Sequence, residues 1–196
     1  MRIAIIGQAP FGAAVYEKLR ENGHKIVGVF TPPEREGGRH DPLAEVARRD
    51  NATLIQPRRW QRKGEVDEEV VAQYEATNPD LNVMAFVTQI IPQRVLDFPA
   101  QATIQYHPSL LPKHRGRSAI NHALLEGDAE TGLTIFWVDA GLDTGPILLQ
   151  KSFPIAENDT VNSLYRDHLF PLGVDALTEA VELVADHPRI PDEVSF

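Results

Sequence analysis

Short apolar segments alternate with helical segments along the chain, and this alternation restricts the possible folds most strongly. Arg2 to Ile6 is an apolar run that ends at Gly7, and residues 12–22 then carry apolar side chains at helical spacing. Further strands are predicted at 25–30, 53–55, 81–86, 102–106, 133–138 and 147–153, and further helices at 42–49, 66–76, 93–98, 118–126 and 161–186. Such alternation is typical of βαβ units, so we predict a Rossmann-like, three-layer α/β domain with a mostly parallel sheet.

Three details qualify this prediction. The strand at 147–153 is expected to pair antiparallel at an edge of the sheet, and Pro171 is expected to interrupt the last helix. Residues 57–65 are expected to form a polar loop. These features leave the general α/β interpretation unchanged.

The length of the chain favours one domain. With 196 residues, 42% of them hydrophobic, it can build one sizeable core but is short for two. We therefore expect a single domain over 1–196, in which residues 187–196 form a tail too poor in apolar residues to fold separately.

Composition bears on location and partners. The chain has no cysteine, which favours a reducing compartment and hence the cytoplasm. No apolar run approaches the roughly 20 residues of a membrane span, so no membrane association is expected. A net charge of -9 disfavours a nucleic-acid partner, and the brief basic cluster at 58–63 is better interpreted as a solvated loop.

The first turn disfavours nucleotide ligands. Its sequence GQAPFG has glycines only at positions 7 and 12, so it is not the GxGxxG of dinucleotide-binding proteins. Thr31 also stands where an acidic residue would hold a ribose. Because no Lys and Ser/Thr follow the second glycine, a P-loop is excluded as well.

Two loops carry the candidate chemistry. His107 lies where a central strand is predicted to end, before Pro108, and Asp143 lies in the loop VDAGLDTG that follows another strand. In that loop, Leu142 is expected to anchor inward while Asp143 turns toward the crevice at the strand ends. An aspartate that accepts a proton beside an imidazole that stabilises charge is suited to acyl-group transfer. The alternative for each residue is a purely structural hydrogen bond.

Other uses of these residues are less favoured. The neighbouring histidines do not form an HxH or HxxxH arrangement with His107, so no catalytic metal is expected. Ser109 lies in HPSLL and not in the GxSxG of a nucleophile elbow, so we expect it to make a local hydrogen bond.

Together, HPSLLPKHRG and GLDTG resemble the signature of the folate-dependent formyltransferases. The resemblance covers nearly the whole chain. It is strongest to the N-terminal hydrolase domain of 10-formyltetrahydrofolate dehydrogenase, on the segments GHKIVGVFT, LNVMAF, YHPSLLPKHRGRSAIN and TIFWVDAGLDTG. The resemblance implies a formyltransferase fold and 10-formyltetrahydrofolate as the formyl donor.

Residue roles follow from the same resemblance. It implies that His107 stabilises the oxyanion formed at the formyl carbon and that Asp143 orients or activates the nucleophile and accepts its proton. It further implies that the folate lies against two loops, which contribute Phe86, Val87, Gln89, Ile90, Val138, Asp139 and Ala140.

Two positions depart from the family pattern. Many formyltransferases have an asparagine two residues before the histidine, as a donor to the developing oxyanion, and this chain has Gln105. The extra methylene could displace that donor by about an ångström, which is enough to affect the rate. Ala140 stands where relatives usually have an acidic residue.

The acceptor is the least determined part of the function. Hydrolysis to tetrahydrofolate and formate, with water as acceptor, fits the strongest resemblance. The alternative is transfer to a small amine such as an amino sugar, a hydroxylamine or a ribonucleotide amine, although Pro10 and Phe11 in the first loop do not suit a phosphate. No C-terminal OB-like domain of the kind used for methionyl-tRNA is expected. A non-catalytic folate-binding module is the second alternative.

Overall fold

The computed structural model describes residues 1–35 and 37–188. Their contacts form two compact units, one comprising residues 1–103 together with residues 184–188, and the other comprising Ile104–Leu183. Most of the predicted tail, residues 189–196, lies outside the described residues, and the single-domain organisation stays a prediction.

The first unit is built on a parallel sheet. Its strands are β1 (Arg2–Gly7), β2 (Lys25–Phe30), β3 (Leu54–Ile55), β4 (Gln61–Arg62), β5 (Glu65–Val66) and β6 (Leu81–Ala85), and its helices are α1 (Ala9–Glu21), α2 (Pro42–Arg49), α3 (Glu68–Ala76) and α4 (Gln93–Asp97). The pairs β2–β3, β1–β2 and β1–β6 are all parallel, in the order β3-β2-β1-β6. Every residue of β6 is buried, so both faces of the sheet are covered, as the layered prediction requires.

Local sequence explains where the elements of this unit begin and pack. Asp41 accepts hydrogen bonds from the backbone N–H groups of the first turn of α2, and Pro42 occupies the first helical position, where it needs no donor. Elsewhere in this unit, Phe30, Trp60 and Tyr74 pack ring against ring. Burial raises the pKa of Tyr74, whose hydroxyl donates to Asn82 Oδ1 at 2.8 Å.

The second unit contains antiparallel strand pairs. Its elements are β7 (Thr103–His107), β8 (Glu130–Trp137), β9 (Ile147–Pro154), α5 (Ala119–Leu125), α6 (Val161–Ser163), a π-helical segment (Leu164–Leu169) and α7 (Phe170–Asp186). The first residue of β7 and the last three residues of α7 belong to the first unit. The expected antiparallel pairing of the last strand is confirmed, since β9 pairs antiparallel with β8. β8 also pairs antiparallel with β7, which the alternation of strands and helices does not reveal because it carries no information on strand direction.

Two further differences from the sequence predictions have clear causes. The stretch 57–65, predicted as a loop, contains the start of a short antiparallel hairpin formed by β4 and β5, and its turn includes Lys63 and Gly64, both with positive φ. The interruption of the last helix is the π-helical segment, which ends just before Pro171. Pro171 itself lies in the first turn of α7, where a proline is tolerated.

Candidate active site

His107 ends β7 in the second unit, as predicted, with only 4% of its surface exposed. Its Nε2 lies 2.9 Å from the carbonyl oxygen of His114, and its Nδ1 lies 3.4 Å from Asp143 Oδ2. Because a carbonyl oxygen can only accept, Nε2 carries a hydrogen and donates. Nδ1 is therefore the ring nitrogen that faces the Asp143 carboxylate.

Asp143 is buried as well, with 8% of its surface exposed, in the loop between β8 and β9. Its φ of 52° lies in the left-handed region, where non-glycine residues are uncommon and often functional. The carboxylate accepts a hydrogen bond from the backbone N–H of Gly116, at 2.7 Å from Oδ2. Leu142 was expected to anchor this loop inward. That prediction is wrong: Leu142 is 69% exposed, because the Asp143 carboxylate turns inward to Gly116.

The loop that carries Asp143 has its own internal structure. Asp139 Oδ1 accepts hydrogen bonds from the backbone N–H of Gly141 at 3.0 Å and from the hydroxyl of Thr144 at 2.7 Å. A Cβ at Gly145 would overlap the carbonyl oxygen of Trp137, so only glycine fits there. These contacts fix the turn that presents Asp143.

Gln105, on β7 two residues before His107, also reaches Asp143. Its side-chain Nε2 lies 3.4 Å from Asp143 Oδ1, while Gly116 holds the other oxygen. Both carboxylate oxygens are thus near N–H donors, which fix the orientation of the carboxylate. A donor to Asp143 is a contact that the family resemblance did not imply for this position.

The loop that follows His107, residues 108–118, is held by buried polar groups. The Thr134 hydroxyl on β8 donates to Ser109 O at 2.7 Å and accepts from Leu111 N at 3.0 Å. Ser109 Oγ donates to Lys113 O at 2.7 Å, which confirms its expected local role. This loop, named the 108–118 loop below, therefore has a fixed backbone on the side away from solvent.

The remaining predicted folate contacts of the second unit follow β8. Val138 and Asp139 are half-buried and Ala140 is exposed. Since Asp139 Oδ1 is engaged in its own turn, Val138 and Ala140 offer the accessible apolar surface of this segment.

The predicted folate contacts of the first unit follow β6. Phe86 is 46% exposed with a φ of 63°, Ile90 is 76% exposed, and Val87 between them is half-buried. Gln89 is different, because its amide accepts from the Trp60 indole N–H at 3.1 Å and donates to Pro57 O at 2.9 Å. The side chain of Gln89 thus joins this loop to the hairpin region, a contact that the sequence did not reveal.

The first unit also holds a cavity of about 400 Å³ at the carboxyl ends of β1 and β2. It is lined by Gln8, Ala9, Pro10, Pro32, Pro33, Glu34, Arg35, Arg39, His40, Asp41 and Pro42. Parallel α/β sheets bind ligands at this edge. The sequence indicates where the strands end but does not reveal this cavity.

Among residues 1–35 and 37–188, no three His, Asp or Glu side chains lie together in a way that could hold a metal ion. None of the helices in this part of the chain is long and apolar enough to cross a bilayer.

The sequence of this chain is similar to proteins of a known family. The family model described as Formyl transferase matches residues 1–181. The chain belongs to the formyl transferase family. It is therefore a formyl transferase family protein whose His107 and Asp143 both fall within the matched region.

Among curated relatives, this formyl transferase family protein is 50% identical over 193 residues to the mitochondrial 10-formyltetrahydrofolate dehydrogenase of Mus musculus, which covers 97% of this chain and 21% of that protein. It is 47% identical over 193 residues to the human cytosolic 10-formyltetrahydrofolate dehydrogenase, with the same coverage. The chain spans about a fifth of the length of these relatives. The predicted resemblance to them is confirmed.

Solved structures support the same assignment of fold. Glycinamide ribonucleotide transformylase 1 from Symbiobacterium toebii superposes with a TM-score of 0.83 at 26% identity, over 98% of this chain and 91% of that one. The predicted Rossmann-like α/β formyltransferase fold is confirmed.

Proposed function

We propose that this chain is an enzyme that hydrolyses 10-formyltetrahydrofolate to tetrahydrofolate and formate, with Asp143 and His107 as its catalytic residues. The observation that carries the proposal is the buried contact of 3.4 Å between His107 Nδ1 and Asp143 Oδ2. The names of the dehydrogenase relatives, about half identical to this chain, support the same substrate.

The chemistry is divided between the two side chains. Asp143 takes a proton from a water molecule as the water oxygen bonds to the formyl carbon. The carbonyl oxygen becomes an oxyanion, which an Nδ1–H of His107 stabilises. The C–N bond then breaks as N10 of the folate takes the proton held by Asp143. The product leaves as formic acid, which loses its acidic proton to solvent and becomes formate.

The surroundings of the pair suit these roles. The hydrogen bond from His107 Nε2 to His114 O directs the other ring nitrogen toward Asp143. The Gly116 N–H and the Gln105 amide hold the Asp143 carboxylate in one orientation, which a general base requires. Gln105 therefore assists Asp143 in this proposal, in addition to any contact with the oxyanion.

The folate is proposed to contact apolar side chains in each unit. In the second unit, Val138 and Ala140 offer apolar contact for the pterin or its formyl arm, with Asp139 shaping the turn. In the first unit, Phe86, Val87 and Ile90 offer exposed or half-exposed apolar side chains, and Gln89 contributes by fixing the backbone.

Two further parts of the proposal concern location and metal. The absence of cysteine supports a cytoplasmic location. The proposed reaction uses only the side chains of Asp143 and His107 and requires no metal ion.

Formyl transfer to a small amine is the second candidate. The solved structure of a glycinamide ribonucleotide transformylase, which has the same fold at 26% identity, favours it. A non-catalytic folate-binding module is disfavoured because a module of that kind has no need of a buried His–Asp pair.

The test is to incubate the purified chain with 10-formyltetrahydrofolate alone and to follow tetrahydrofolate and formate. Release of both products without an added amine is the expected result. Product release only after an amine is added would replace hydrolysis by transfer. Folate binding without turnover for any acceptor would favour the non-catalytic module.

A further inference from the structure

The catalytic pair depends on two backbone groups that lie close together in the 108–118 loop. The carbonyl oxygen of His114 accepts from His107 Nε2 at 2.9 Å, and the N–H of Gly116 donates to Asp143 Oδ2 at 2.7 Å. A displacement of residues 114–116 would therefore alter the orientation of both catalytic side chains together.

This stretch lies outside regular secondary structure and has an unusual backbone. His114 has a φ of 53° and Gly116 a φ of 81°, both in the left-handed region. For a non-glycine residue such as His114, that conformation is costly and persists only when its surroundings hold it. The conformation of His114 therefore depends on the groups that hold its side chain.

Asp128 accepts hydrogen bonds from the side chains of His114 and Lys113. Its Oδ2 accepts from His114 Nε2 at 2.7 Å, and its Oδ1 accepts from Lys113 Nζ at 3.2 Å. The His114 side chain is only 8% exposed and that of Asp128 17% exposed, so the shorter contact is largely shielded from water. The hydrogen bond from His114 lowers the pKa of Asp128, with a further contribution from Lys113.

The backbone of Asp128 is itself well fixed. It follows α5, and its N–H donates to the carbonyl oxygen of Ala123 in that helix at 3.0 Å. Asp128 is thus a carboxylate anchored to a helix end that holds two consecutive side chains of the 108–118 loop.

We propose that Asp128 is a positioning residue of the active site, which holds Lys113 and His114 and thereby keeps the His114 carbonyl and the Gly116 N–H in place for His107 and Asp143. This inference rests on the proposed function for its kinetic consequence. Its structural part, the orientation of the His107 ring, can be measured without turnover.

Glu126 offers a matched control. Its carboxylate lies 3.8 Å from the other ring nitrogen of His114, beyond hydrogen-bond distance, and its side chain is 62% exposed. Replacing Asp128 or Glu126 with alanine removes one acidic group beside the same imidazole, but only Asp128→Ala removes a short hydrogen bond.

The experiment compares Asp128→Ala, Glu126→Ala and the unaltered chain by kinetics and by ¹⁵N NMR of the His107 imidazole. Asp128→Ala is expected to lower kcat by about tenfold or more, because small misplacements of catalytic groups are costly, while KM changes by less than about twofold. The ¹⁵N shifts of His107 should move, because its Nε2–H loses a well-positioned acceptor. Glu126→Ala should match the unaltered chain in both readouts.

Equal kcat values and unchanged His107 shifts in Asp128→Ala would overturn the proposal. If that variant melts below the assay temperature, Asp128→Asn carries the same test, because its amide retains one acceptor oxygen, and a partial change in both readouts is then expected. If the unaltered chain releases no formate, the proposed function fails, and the NMR comparison alone decides whether Asp128 positions His107.

Discussion

Two loops that follow strand ends are held in different ways. The 108–118 loop of the second unit is fixed by buried hydrogen bonds of the Thr134 hydroxyl and by the largely shielded contact between His114 and Asp128. In the first unit, residues 31–41 connect β2 to α2, and those described after Thr31 are exposed or half-buried. They are held mainly at the surface, where Glu34 pairs with Arg48 at 2.8 Å.

The difference corresponds to two tasks that a loop can perform. A catalytic pair requires fixed geometry, which buried hydrogen bonds provide because water cannot compete for them. A loop that lines a cavity of about 400 Å³ can instead adapt to what enters, because surface ion pairs are weak and exchange readily with solvent. We therefore expect substitutions in the two regions to differ in both the kind and the size of their effects.

The largest effect is expected for Asp143→Ala. Loss of the proposed general base should reduce kcat by about 10³-fold or more, while folate binding persists. Formate release and a fluorescence titration with folate measure the two properties. Asp167→Ala, which removes an exposed carboxylate paired with Arg166, serves as the control and should retain activity. Full turnover by the Asp143 variant would contradict the role of Asp143 as the general base.

Thr134→Val should give the next largest effect. It leaves Ser109 O and Leu111 N without their hydroxyl partner in a buried site, which should cost about 1–3 kcal/mol of unfolding free energy. Urea denaturation measures that loss. Thr131→Val, on the same strand and also buried, should cost less. Similar losses for the two variants would contradict the importance of the hydroxyl network.

Gln105→Leu tests a weaker contact to the catalytic pair. At 3.4 Å the hydrogen bond from its amide to Asp143 Oδ1 is long, so its removal should lower kcat by about tenfold at most. Steady-state kinetics and the melting temperature, measured together, separate this effect from instability. An unchanged kcat would mean that Gly116 alone is sufficient to hold Asp143.

The smallest effect is expected for Glu34→Gln in the surface-held loop. The hydrogen bond from Arg48 lowers the pKa of Glu34 to about 2, so the pair stabilises the folded state above the usual glutamate pKa and is lost as pH falls toward 2. Because the Arg48 side chain is 42% exposed, solvent should limit the cost at pH 7 to less than about 1 kcal/mol.

Unfolding free energies of the Glu34→Gln variant and the unaltered chain should therefore converge between about pH 4.5 and pH 2. A difference that stays constant over this range would show that the ion pair is not what holds the loop. A cost above about 2 kcal/mol at pH 7 would remove the contrast with the 108–118 loop.

The sequence predicted the features that residue types signal. The helix predicted at 42–49 is observed with the same bounds as α2, and the side chains of His107 and Asp143, predicted to act together, lie 3.4 Å apart. The antiparallel direction of β7 and β8 was not predicted, because strand direction depends on connections and not on side-chain pattern.

Within the candidate site, the sequence did not predict the groups that orient His107 and Asp143. The groups that hold the catalytic pair are the carbonyl of His114 and the N–H of Gly116, and backbone groups are the same in every residue that could stand there. Asp128 was missed because an aspartate after a glycine at a helix end is common in turns. The outward orientation of Leu142 depended on the φ of its neighbour, which the sequence does not specify.

The use of backbone groups to hold His107 and Asp143 has a consequence for protein engineering. Transplanting the histidine and the aspartate into another scaffold would transfer the reactive atoms without the carbonyl and the N–H that orient them. A designer would have to copy the path of the main chain from residue 114 to residue 116, for which several side-chain sequences could serve. The transferable unit of this site is thus a backbone trace with two functional side chains attached to it.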